Sequence, residues 1–157
     1  MPVYLSAADI QSGQVVVLSE GDVVSAVLAS SAIPILFEPV VRNGKLLIDG
    51  SAGDCFPVDS LVGKCEVLIG SYVNSVTATE RKLEMSAIFD RGFHMSLQTE
   101  IIKKREMCSL YLSPDLLTNY SMFDFEKAQE IFEIGLAYAN SKKEDLLKVL
   151  PADFCED

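Results

Sequence analysis

The stretch LASSAIPILFEPVVRNGKLLIDGSAGDCFPVD, Leu28 to Asp59, decides how this chain is read. Two short apolar runs, Pro39 to Val41 and Lys45 to Ile48, flank Arg42, Asn43 and Gly44. An Asn-Gly pair between such runs tolerates the positive φ angles of a tight turn, so the pattern predicts a hairpin. Its second strand ends at Asp49 and is followed by a loop of small residues, Gly50 to Gly53. In open α/β sheets reactive groups collect outside the carboxyl ends of strands. Glycines there let backbone come close to a ligand. Asp49 is therefore the first candidate for chemistry.

Working outward, Val3 to Ala8 reads as a strand, Asp9 to Gly13 as a turn, and Gln14 to Leu18 as a second strand. Ser19 and Asp22 form a capping-box pattern. Val23, Val24, Val27 and Leu28 then give the apolar face of a short helix, which Pro34 ends. Downstream, Pro57 starts a brief helix through Leu61, and Val67, Leu68 and Ile69 read as a buried strand. Asn74 to Thr79 is polar and turn-rich. From about Arg81 to Met107, Met85, Phe89, Phe93, Leu97 and Ile101 recur every four positions and predict a long amphipathic helix. Ser109 to Leu112 is a short strand. Two closing helices follow, from about Asp124 to Asn140 with Phe125, Ala128, Phe132 and Leu136 inward, and from Lys142 to Leu150. Ser141 and Glu144 start the last one and Pro151 stops it. Strands alternating with helices predict an α/β fold.

At 157 residues and 49% hydrophobic, the chain suits one folded domain. A net charge of -10 argues against nucleic-acid binding, which needs clustered Lys and Arg. It also disfavours lasting adhesion to anionic lipid. Cys55, Cys65, Cys108 and Cys155 lack the spacing of a zinc or redox motif and read as reduced thiols. Asp49, Asp54 and Asp59 recur at a spacing wrong for the alternating ligands of a calcium loop. No metal and no cofactor are expected. No secretory pattern is visible and no apolar run approaches ~18 residues, so a cytoplasmic location is expected. His94 falls on the charged side of the long helix and reads as solvated. Lys103, Lys104 and Arg105 complement the dipole at that helix's end.

ASSAIP at Ala29 to Pro34 and DGS at Asp49 to Ser51 resemble the ASxxxP and DG[GA] signatures of the patatin-like phospholipase family, in its bacterial type. FDFEKAQEIFEIGLAYA, near the end of the chain, resembles the closing helix of such proteins. The resemblance runs from about Pro2 to about Tyr138 and covers the family's C-terminal portion. It implies a patatin-like three-layer α/β/α hydrolase fold, with a mixed sheet flanked by helices. It also implies a Ser/Asp dyad acting on a lipid acyl ester, with Asp49 as base and Asp49, Gly50 and Ser51 as the motif loop; a lipid substrate leaves room for a cytoplasmic protein peripheral at membranes.

The family's serine sits in a GxSxG elbow beside a glycine-rich oxyanion loop, and the 157 residues contain neither. Ser30, Ser31 and Ser51 lack the strand, tight turn and helix that expose a nucleophile. The expectation is that residues 1–157 are the base-bearing C-terminal portion of one domain, inactive alone, which pairs with a missing N-terminal half or with itself. Two departures stand out: Ser51 occupies the third DG[GA] position, and Asp54 and Cys55 stand where the family often has asparagines before its proline, here Pro57. The alternative is a non-catalytic lipid- or protein-binding module with the same fold.

Overall fold

The computed structural model describes residues 2–76, 85–121, 124–151 and 154. The chain divides into two compact units, Met1–Ser60 and Leu61–Asp157. Across the described residues the class is mixed α/β with four α-helices. The antiparallel and parallel pairings lie in two different sheets, one in each unit.

The first unit is a four-stranded antiparallel sheet, ordered β2-β1-β4-β3, built from β1 (Leu5–Asp9), β2 (Gln14–Leu18), β3 (Val40–Arg42) and β4 (Lys45–Asp49). The predicted hairpin is present, with Asn43 at φ 51° and Gly44 at φ 75°, which is why this turn calls for Asn-Gly. β1 sits in the middle: Ala7 pairs with Val16 on one side and Asp49 on the other. Partners share a face of the sheet, so Ala7, Val16, Leu47 and Asp49 lie on one side and Ala8, Val15 and Ile48 on the other.

Helix α1 (Val23–Ser30) covers the first of these faces, though not with the residues expected. Val23, Val24, Val27 and Leu28 are exposed, and Ala26 and Ala29 are buried. The core beneath is Ala7, Ala29 and Leu47, bordered by Val16, Leu18 and Val40. An alanine ridge lets the helix approach the sheet closely, and a helix apolar nearly all round gives periodicity no single face to select. The N-cap is Asp22 rather than Ser19, its Oδ2 accepting the Ser25 N–H at 2.7 Å. Arg42 locks the hairpin to this helix start, donating to the Asp22 carbonyl at 2.7 Å, to the Glu20 carbonyl at 2.5 Å and to the Ser25 hydroxyl.

The second unit holds a two-stranded parallel sheet of β5 (Ile69–Ser71) and β6 (Leu110–Leu112), with α2 (Met85–Arg105) in the crossover that parallel strands require. The predicted strand at Val67 to Ile69 is shifted, because Leu68 spends its carbonyl and N–H on Ser109 before the ladder begins. Residues 77–84, part of the expected turn and helix start, lie outside the described residues. Ile101 of the expected stripe is buried, but Met85 and Phe89 are exposed. His94 is buried rather than solvated, edge-on to Phe93 at 5.6 Å. The charge of its sequence neighbours argues for solvent, whereas the packing of the helix places it inside.

Helices α3 (Ala128–Ser141) and α4 (Lys143–Val149) close the unit. Phe125, Phe132 and Leu136 face outward, whereas Ile131, Ile134 and Tyr138, at helical spacing on another side, are half-buried. Tyr138 fixes that choice by accepting the Ser113 N–H through its hydroxyl at 3.2 Å. The Ser141–Glu144 capping box does not form. Ser141 still belongs to α3, and its hydroxyl donates to the Tyr138 carbonyl at 2.7 Å. No helix among the described residues is long and apolar enough to cross a membrane.

Candidate active site

Asp49 is the last residue of β4 and is half-buried. Its N–H donates to the Ala32 carbonyl at 3.0 Å, which ties the Ala29 to Pro34 stretch to the end of the strand. The two signature segments, 17 positions apart by these residue numbers, thus meet through one backbone bond. The Asp49 Oδ1 accepts the Ser51 N–H at 2.8 Å and caps a 3-10 turn, Gly50–Ala52. Its Oδ2 has no protein partner among the described residues. One oxygen therefore orients the carboxylate through the cap, and the other keeps its acceptor capacity.

The loop is held as firmly as the strand. Gly53 and Asp54 both donate to the Gly50 carbonyl, at 3.0 and 2.8 Å. A Cβ on Gly50 would collide with the Ser6 hydroxyl and carbonyl oxygen and lie 2.7 Å from the Ser6 carbonyl carbon. The close approach that this glycine permits is to the neighbouring strand β1. Gly53 likewise leaves room for Val15, whose Cγ2 would stand 2.6 Å from an added Cβ.

Of the other candidates among the described residues, only Ser51 bonds to the Asp49 carboxylate. Asp54 turns its Oδ1 to the Phe56 N–H at 3.0 Å, and Asp59 is exposed in the 3-10 turn Val58–Ser60. Ser31 donates its hydroxyl to the Val27 carbonyl at 2.7 Å, a back-bond at the helix end. Ser51 commits its N–H to Asp49. Cys55, Cys65 and Cys108 form no disulfide among the described residues, and burial raises the Cys108 pKa. Cys155 lies outside the described residues. Lys103, Lys104 and Arg105 form the last turn of α2, where Lys104 pairs with Glu100 at 3.0 Å.

Two further residues, which in the sequence look like turn chemistry only, position elements of the first unit. Arg42 clamps the start of α1, and no local pattern announces a partner some twenty positions away. Asp9 is buried, with Oδ1 accepting the Gln11 N–H at 3.1 Å and Oδ2 the Ser12 hydroxyl at 2.7 Å. The Ser12 hydroxyl chiefly lowers its pKa; burial opposes this, and the Gln11 and Ser12 N–H groups and the Lys45 charge assist. A lowered carboxylate pKa contributes stability above the unfolded value near ~3.9 that is lost as pH falls through the folded value. Thermal melts from about pH 5 to about pH 2 should therefore show the wild type converging on Asp9→Asn as acid removes the advantage of the charge. A constant gap between the two proteins would show that the Asp9 charge stabilises nothing.

The first unit is thus a layer of antiparallel strands under a helix, with a half-buried carboxylate at the end of an inner strand. Residues 5–62 match the family model of the patatin-like phospholipases, from the first residue of β1 to just past the end of the first unit. That segment of the chain is patatin-like, and the match relates it to lipid-hydrolysing proteins.

Proposed function

We propose that Asp49 is the general base of a Ser/Asp dyad in a lipid acyl ester hydrolase, and that this chain supplies the base while a GxSxG segment outside the 157 residues supplies the nucleophile. The observation that supports it is the state of the carboxylate. Asp49 ends a paired strand, one oxygen is fixed by the Ser51 N–H, and the other has no protein partner among the described residues.

A serine hydroxyl becomes a competent nucleophile when a base takes its proton as attack proceeds. Asp49 Oδ2 accepts that proton while the serine oxygen bonds to the ester carbonyl carbon. The tetrahedral oxyanion needs backbone N–H donors, the role of the family's glycine-rich loop. Collapse breaks the bond to the alcohol, which leaves with the proton from Asp49. Water then attacks the acyl-serine, Asp49 takes its proton and returns it to the serine, and a free acid departs.

The isolated 157-residue chain is expected neither to hydrolyse a chromogenic acyl ester nor to be labelled by a serine-directed phosphonate. Stoichiometric labelling at Ser30, Ser31 or Ser51 would overturn this division of labour. A second reading, a non-catalytic lipid- or protein-binding module, draws on the cap that Asp49 makes for Ser51, because a capping aspartate alone explains that bond. The discriminating measurement is ester hydrolysis by a protein that carries this sequence together with a GxSxG segment. Activity there supports the dyad, and its absence in a folded protein supports the module.

A further inference from the structure

We propose that the outer edge of β2 is a strand-docking site, and that its occupant is β2 of a second copy of this chain. Sheet order leaves β2 and β3 at the edges, and among the described residues neither has a strand beyond it. The two edges differ in protection. β3 is three residues long, follows Glu38 and Pro39 and ends in Arg42, all features that discourage further pairing. β2 is five residues, QVVVL, in unbroken register with β1, and has no charge, proline or bulge. Its outward N–H and C=O groups are a template for another strand.

The charge pattern favours a second copy as that strand. Two chains of net charge -10 repel one another across most approaches. From Ile10 to Ser19 the sequence carries no charge at all, so two copies can meet there without opposing carboxylates. β2 is also self-complementary. A two-fold axis at Val16 sets Gln14 opposite Leu18 and Val15 opposite Val17 of the partner subunit, twice over. Val15 and Val17 are exposed on the face away from α1, where each pair would bury apolar surface. Such an isologous contact joins two four-stranded sheets into one of eight. A five-residue edge is small against a standard interface, so the dimer is a weak, reversible one.

Sedimentation equilibrium of the 157-residue chain over a concentration series should show a monomer–dimer equilibrium that tightens as salt screens the net charge. Val15→Lys/Val17→Lys places lysine opposite lysine across the two-fold axis and should raise the dissociation constant roughly tenfold or more. Val41→Lys, on the protected β3 edge, should leave it unchanged. Added lysines lower the net charge and would strengthen any non-specific association, so weakening by the β2 variant alone marks the edge. Far-UV circular dichroism checks that each variant folds. A wild type monomeric throughout, a dimer indifferent to the folded β2 variant, or equal weakening by Val41→Lys would each overturn the assignment.

Discussion

Asp49→Asn is expected to cut ester hydrolysis by ~10²- to 10⁴-fold, roughly 3 to 5 kcal/mol of barrier, in an active protein that carries this sequence with a GxSxG serine. Asparagine matches the shape of aspartate, and its carbonyl oxygen can still accept the Ser51 N–H, so the 3-10 turn should persist. What it cannot do is take a proton at neutral pH. The melting temperature should therefore stay close to that of the wild type while turnover collapses. Asp54→Asn and Asp59→Asn are the controls. Asp54 faces the Phe56 N–H, Asp59 is exposed, and neither ends a strand of the sheet. Near-normal turnover in a folded Asp49→Asn protein would remove Asp49 as the base and leave the family match as one of fold.

The parts of the fold legible in the sequence were those set by local chemistry. Asn43 and Gly44 dictate their turn, short apolar runs bounded by turn residues mark β1, β2 and β4, and a strand ending in Asp-Gly announces the candidate site. Faces were harder to read because they are decided by what a helix meets. α1 is apolar nearly all round, and only the presence of Ala7 and Leu47 beneath it selects Ala26 and Ala29 over four larger residues. α3 offers two stripes, and the bond from Ser113 to Tyr138 favours the less obvious one. His94 follows the same rule: its sequence neighbours are charged, but its three-dimensional setting is buried.

Within the site, the sequence pointed to Asp49 and to a need for glycines, but not to why each glycine is required. Asp49 carries its own signal as a strand-end carboxylate. Arg42 carries none, since its partners Glu20, Asp22 and Ser25 become neighbours only once α1 has docked. The apolar residues left exposed on the first unit, Ile35, Leu36 and Phe37 among them, follow directly after the Ala29 to Pro34 signature. Ile35 even holds φ at 77°, a conformation β-branched residues avoid. No local pattern in the sequence requires it.

Gly50→Ala should be the most damaging small substitution in the first unit, at about 3 kcal/mol or more, beyond the ordinary range for one added methylene. The atoms in the way belong to Ser6, two of them backbone, in a strand paired on both sides by β2 and β4. β1 cannot retreat without breaking a ladder. Gly53→Ala meets only the side chain of Val15, which can turn aside, and should cost less. Gly13→Ala faces open space, and its φ of 69° sets a penalty of about 1 kcal/mol. Urea unfolding of the three variants should rank them in that order. The consequence for chemistry follows from geometry: any shift that relieves Gly50 moves the adjacent Asp49 and the N–H of Ser51 that orients it. Gly50→Ala in an active protein should therefore lose turnover even at a temperature where it remains folded. A variant as mild as Gly13→Ala in both measurements would mean that the contact with Ser6 does not fix the loop, and that Asp49 owes its position to β4 alone.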